Sequence, residues 1–196
     1  TYDNLVGGTA SGAGNLIAFN NRDGIFTDGV ARNQFRQNRI FSNDSLGIDI
    51  TPFGVNPNDV GDGDTGSNDL QNYPVITFVR ASNTSVTIGG TLNSRPSQTY
   101  TLEFFGNTSV DATGYGEGRN FLGSMQVTTN ASGNVTFNQV FTIGIASTAQ
   151  WVTATATDTT GNTSEFSQAR NICADMVLRP GSILTPLGGI ASNFTY

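Results

Sequence analysis

Residues 15–20 read Asn-Leu-Ile-Ala-Phe-Asn, and residues 38–43 read Asn-Arg-Ile-Phe-Ser-Asn. The second phrase starts 23 residues after the first, and the same step carries Gly24-Ile25 onto Gly47-Ile48. A period near two dozen residues fits a leucine-rich repeat or a parallel β-helix. The first needs leucine at several fixed places, and this stretch offers only Leu5, Leu16 and Leu46. In the second, each coil is two or three short strands joined by turns, and Ile17 with Phe19, or Ile48 with Ile50, alternate inward. Asn20 and Asn43 then stack at a corner. There a side-chain amide can bond the neighbouring coil, and asparagine tolerates a left-handed backbone. Gly24 and Gly47 permit the next bend. The pattern predicts the last coils of a right-handed parallel β-helix over residues 1–50. About two coils cannot bury both of their ends, so the first coil is expected to expose strand edges and an apolar face. Further coils upstream or another chain would cover it.

Regular patterning stops over residues 51–72, where Pro, Gly, Asn and Asp dominate. Oxygen-bearing side chains cluster at Asn58, Asp59, Asp62, Asp64, Asn68 and Asp69. Hard oxygens on a glycine-rich loop suit calcium, although the spacing is not that of an EF-hand. The expectation is a structural Ca²⁺ held by Asp59, Asp62, Asp64, Asn68 and Asp69; the other reading is a solvated turn-rich linker.

From Tyr73 the period becomes two. Strands are expected at 75–79, 85–92, 99–105, 120–127, 134–141, 150–157 and 163–168, separated by Asn, Ser and Gly turns. Seven short strands over about a hundred residues predict an antiparallel Greek-key, immunoglobulin-like β-sandwich over residues 73–170. Tyr100, Leu102 and Phe104 share one face of their strand. Val152, Ala154 and Ala156 share one face of theirs, with threonines on the other, so one face should be buried and one wet.

The notable carboxylates of this half are Asp111, Glu117, Asp158 and Glu165. Asp111 and Glu117 flank Tyr115 in a glycine-rich loop, a pattern that suits a small sugar or second metal site. The simpler reading is a hairpin loop whose acids bond backbone amides. Residues 171–196 form an apolar tail in which Val177, Leu178, Ile183, Leu184, Phe194 and Tyr196 could pack back on the sandwich or dock on a neighbour. Head-to-tail use of that tail and the open first coil would not close, and so would generate a homopolymer.

Composition narrows the chemistry. The 196 residues contain no His, and all nine cationic side chains are Arg. Imidazole acid–base chemistry, Ser-His-Asp sites, His-ligated zinc and lysine Schiff bases are therefore excluded. With a net charge of −6 and no basic patch, nucleic acid is not an expected partner. No apolar run is long enough to span a membrane, so membrane insertion is not expected. Cys173 stands alone, which rules out an intrachain disulfide. No leader peptide opens the sequence, and a mature form or a fragment is expected.

The segment NLVGGTASGAGNLIAFNNRDGI (4–25) resembles repeats of secreted bacterial parallel β-helix proteins. The stretches NDVGDGDTGSNDLQNYPVI (58–76), YTLEFFGNTSVDATGYGEGRNFLG (100–123) and VTATATDTTGNTSEFS (152–167) resemble the immunoglobulin-like module that follows such a β-helix. The resemblance implies an extracellular or cell-surface location and this architecture more than any activity. The expected function is that of a non-catalytic structural protein, a filament subunit or adhesin stalk. The alternatives are a carbohydrate-binding module presenting Tyr115, Phe121 or Trp151 to glycans, and a C-terminal fragment of a polysaccharide-degrading β-helix enzyme.

Overall fold

The computed structural model of the chain describes residues 3–29, 31–82, 84–142 and 149–174. The first six strands are three residues each: β1 Leu5–Gly7, β2 Leu16–Ala18, β3 Ile25–Thr27, β4 Gln34–Arg36, β5 Arg39–Phe41 and β6 Ile48–Ile50. They pair in parallel as β1–β4, β2–β5 and β3–β6, which stacks one three-strand coil on another. The repeat of 23 residues is the register of β2 on β5 and of β3 on β6. Strand β1 breaks that period because residues 8–15 join it to β2, whereas only residues 37–38 join β4 to β5.

Asparagines stack at the corners as the sequence suggests. Asn20 donates from its backbone nitrogen (3.3 Å) and its Nδ2 (2.7 Å) to Oδ1 of Asn43. Asn15 makes the same pair of bonds to Asn38, at 3.0 and 3.2 Å. The left-handed residue, however, is the one before the asparagine: Asp3, Phe19, Arg32, Gln37 and Ser42 all have φ between 52° and 61°. Phe19 therefore does not point inward. It sits 77% exposed at the corner, edge-on to Phe41. Gly24 and Gly47 answer to close packing rather than to a bend: a Cβ on Gly24 would lie 2.6 Å from Ile40, and one on Gly47 2.9 Å from Phe166.

The remaining strands are β7 Val75–Ala81, β8 Ser85–Asn93, β9 Thr99–Asn107, β10 Asn120–Thr128, β11 Asn134–Thr142, β12 Trp151–Asp158, β13 Arg170–Asn171 and β14 Cys173–Ala174. They form two sheets, ordered β11-β8-β7-β14 and β10-β9-β12-β13. All pairs are antiparallel except β14 on β7. The chain crosses between sheets after β8, after β10, after β11 and after β13, giving the expected Greek-key sandwich. Ile88, Leu92, Tyr100, Leu102, Phe104, Val152, Ala154 and Ala156 are buried between the sheets.

The outer face of β9 and β12 is not wet. Glu103, Phe105, Thr153, Thr155 and Thr157 are as fully buried as the core face: the second coil of the β-helix sits on Glu103 and Phe105, and the segments at Gly116–Glu117 and Thr163 cover Thr153 and Thr157. Phe35, Ile40, Ile48 and Ile50 from that coil share one apolar cluster with Phe105 and Phe166 of the sandwich. The expected strand 163–168 is interrupted for the same reason. Ser164 and Ser167 pair with Ala156 and Ala154 of β12 partly through their hydroxyls. Between them, Glu165 and Phe166 are released toward the β-helix.

The lower edge of the second coil carries backbone donors that no third coil receives. The three glutamates of the chain receive several of them. Glu103 accepts Gln37 N (2.9 Å) and Arg36 Nε (2.8 Å). Glu117 accepts Ser42 N (2.7 Å) and Asn43 N (2.9 Å). Glu165 accepts Ile50 N and Asn56 N, both at 3.0 Å. Ile40 exchanges backbone bonds with Gly118, and Phe35 N reaches the Thr163 hydroxyl. A parallel β-helix end is thus closed by glutamate side chains, each of which accepts on two oxygens. At the opposite end, the inward-facing Val6, Ile17 and Ile25 of the first coil are only partly buried, while Leu5, Leu16 and Phe26, in register with Gln34, Arg39 and Asp49, are exposed on its outer face.

Candidate functional site

The acidic connector wraps against the sandwich by amide clamps. Asn58 exchanges two hydrogen bonds with the Tyr73 backbone, and Asn72 bonds the backbones of Asp59 and Asn93. Asp62, in a left-handed conformation, is nearly inaccessible. Its Oδ1 accepts Asn72 N and its Oδ2 accepts the Ser94 hydroxyl, whose oxygen lies 2.8 Å from the Tyr100 hydroxyl. The loop is thereby tied to the middle of the sandwich core.

This wrapping brings one carboxylate oxygen from each of Asp59, Asp62 and Asp64 within 4.8 Å of one another. Burial raises the pKa of Asp62, with only partial relief from its Ser94 and Asn72 bonds. Burial also raises that of Asp64, and the Asp59 charge adds to it. Oδ1 of Asp59 and Oδ1 of Asp64 are buried with no hydrogen-bond donor. Three convergent hard oxygens, two of them lacking a protein partner, can hold a metal ion.

The other two residues expected in that site are used elsewhere. Asn68 is fully buried, and its Oδ1 accepts the backbone and side-chain nitrogens of Asn33. Its Nδ2 donates to the carbonyls of Asn33 and Thr163. It extends the asparagine stack one level below the second coil. Asp69 pairs with Arg95 at 3.4 Å, and Arg95 Nε also bonds the Asp62 carbonyl.

Asp111, Tyr115 and Glu117 each face different partners. Asp111 accepts Thr113 N in its own turn. Glu117 faces Ser42 and Asn43. Tyr115 packs edge-on to Tyr73, 5.6 Å between ring centres, in a cleft of about 340 Å³ shared with Asn58, Val75, Gln168 and Arg170. Burial, then the Tyr115 phenol, raises the Tyr73 pKa. Asp158 accepts the backbone nitrogens of Thr160, Gly161 and Asn162 and caps its hairpin turn.

Burial pushes the Glu165 carboxyl up to about 7 against the bonds from Ile50 and Asn56. Sequence reasoning noticed Glu165 without its role and passed over Glu103. The available signal was a lone acid between Leu102 and Phe104, in a run from Thr99 to Gly106 otherwise apolar or hydroxylic. Val177, Leu178, Ile183, Leu184, Phe194 and Tyr196 lie outside the described residues. Residues 173–174 do add a parallel strand to β7 of their own sandwich.

No protein-family model matches the chain. No curated protein matches it in sequence either.

Proposed function

We propose that this is a non-catalytic extracellular or cell-surface structural protein, a filament subunit or adhesin stalk of the kind its sequence resembles among secreted bacterial β-helix proteins. The observation that carries the reading is the fate of the glutamates. All three close the β-helix onto the sandwich, a mechanical rather than a chemical use of the groups best suited to acid–base work. The shared apolar cluster makes the junction continuous core rather than a hinge.

The acidic loop fits the same purpose. A Ca²⁺ bound by Asp59, Asp62 and Asp64 would neutralise their repulsion and fix residues 58–72 to Ser94 and Tyr100.

Head-to-tail polymerisation is proposed through the exposed first coil. The underside of the second coil is already covered by its own sandwich, so a neighbouring copy must offer a different element, and the apolar tail beyond residue 174 is suited to that role. Electron microscopy and sedimentation of the purified chain test this. Filaments that vanish in an Ile17→Arg variant that still melts cooperatively, and in a chain ending at residue 174, support the proposal; monodisperse particles in calcium-containing neutral buffer oppose it.

A further inference from the structure

We propose that the outer face of β5 and the adjoining cleft bind an anionic saccharide, with the guanidinium groups of Arg39 and Arg119 receiving its carboxylate. Three arginines in this acidic chain have acidic partners: Arg32 with Asp3, Arg36 with Glu103, and Arg95 with Asp69. Arg39 and Arg119 form no ion pair among the described residues. They are nevertheless drawn to one ring, their guanidinium carbons 5.8 and 4.3 Å from the centre of Phe41. Arg39 Nε also donates to the Arg119 carbonyl, which holds the two chain segments together. Each cation–ring contact is worth about 0.5–1 kcal/mol at an exposed site, and bringing two like charges together opposes it. The nearby Glu117 carboxylate is turned to the amides of Ser42 and Asn43. An anion received by the two guanidiniums would offset their like charge and use their planar forks.

The surroundings indicate what carries that anion. Beside Arg39 lies an open cleft of about 320 Å³, lined by Ser11, Gly12, Gln37, Asn120 and Phe121. One wall is the long connection between β1 and β2, which has no counterpart in the second coil and whose residues 9–12 are exposed. The side chains of Ser11, Gln37 and Asn120 make no hydrogen bond among the described residues. A hydroxyl, two amides and an aryl face beside a cationic end match a sugar ring that bears a carboxylate. Phe19, 77% exposed and 6.0 Å from Phe41, extends the surface by one more apolar ring. A dense polyphosphate is disfavoured, because the chain carries a net −6 and two guanidiniums cannot offset many phosphates.

The test is calorimetry of the full chain with trigalacturonate and with the neutral galactose trimer. The acid form is expected to bind, to weaken as salt rises, and to lose at least tenfold in affinity in the Arg39→Gln/Arg119→Gln double variant. That variant should stay folded and melt within a few degrees of the parent, since the loss of two surface cation–ring contacts is offset in part by removal of the repulsion. Backbone amide shifts of the unaltered protein should move most at Gln37, Arg39 and Asn120 when the acid is added. Equal binding of the two trimers, no binding of the acid at millimolar concentration, unchanged affinity in the double variant, or shifts centred on the Tyr115 cleft would each overturn the assignment.

Discussion

Oε1 of Glu117 lies 2.9 Å from both the backbone nitrogen and Nδ2 of Asn43, the same two donors that Asn20 presents to Oδ1 of Asn43 one coil above. A glutamate from the sandwich thus stands where the next asparagine of the stack would be, and the stack stops there because a carboxylate has nothing to donate onward. Glu117→Ala should leave these amides without their acceptor and cost about 1–3 kcal/mol in urea unfolding. Glu117→Gln should cost less. It keeps an oxygen for Asn43 but turns an amide toward the Ser42 nitrogen.

Glu103 and Arg36 should show the strongest coupling in the molecule. Glu103 is fully buried and the Arg36 side chain is 15% exposed, 2.8 Å away. Removing one partner leaves a buried charge, so Glu103→Ala is expected to cost about 3–5 kcal/mol. Adding Arg36→Leu should restore a large part of that loss. A double-mutant cycle by chemical denaturation that gives simple additivity would contradict the pairing.

The junction core can be tested separately from its polar rim. Phe166 packs edge-on to Phe105 within the cluster that joins the two parts. Phe166→Ala should destabilise the protein by about 3–5 kcal/mol, the usual cost of emptying an aromatic core position. Gly118→Ala should destabilise as well, because its Cβ would lie 2.7 Å from Phe166 and 2.9 Å from Phe105. Thermal melts read both, and a single cooperative transition is expected to persist.

The junction should loosen as pH rises. The Glu165 carboxyl is raised from 4.5 to about 7 in the folded protein, so between those values the folded state holds a proton that the unfolded state releases. Stability is therefore greatest below about pH 4.5 with respect to this group and is lost progressively as pH rises from there through about 7, by about 3 kcal/mol in all. Asp49, Asp62 and Asp64 shift in the same direction from 3.8. Melting temperature should decline between pH 5 and 8 without added calcium. Glu165→Gln should flatten the decline; a profile unchanged by that substitution would rule out Glu165 as its source.

Calcium should oppose that decline. At pH 7.5, millimolar Ca²⁺ is expected to raise the melting temperature through Asp59, Asp62 and Asp64, and chelator to reverse it. Asp64→Asn should remove most of the gain while leaving Asn68 and its stack untouched. Indifference of the parent protein to calcium and chelator would argue that the loop is held by hydrogen bonds alone.

The repeat made much of this legible, because a step of 23 residues fixes which strand stacks on which whatever lies beyond. Asn15 over Asn38 and Asn20 over Asn43 could be read directly, as could the inward face of β9. Asn4 over Asn33 could not, since the long connection after β1 shifts its register to 29. The wet face assigned to the threonines of β12 failed because alternation reports one sheet's own packing and not what docks on its back. Glu103, Glu165 and Asn68 were opaque for the same reason: their partners lie 35 to 115 residues away in sequence. In the acidic loop, composition located Asp59, Asp62 and Asp64. It could not tell that Asn68 and Asp69 turn toward the β-helix and Arg95.

Native-state hydrogen exchange tests the junction most directly. The amides of Gln37, Ser42, Asn43 and Ile50 are bonded to the sandwich glutamates, so they should exchange only through global unfolding, with the same free energy and denaturant dependence as Leu102 in β9. Exchange of those four amides by a separate, lower-energy opening, while Leu102 stays protected, would mean that the β-helix end is not closed by the sandwich.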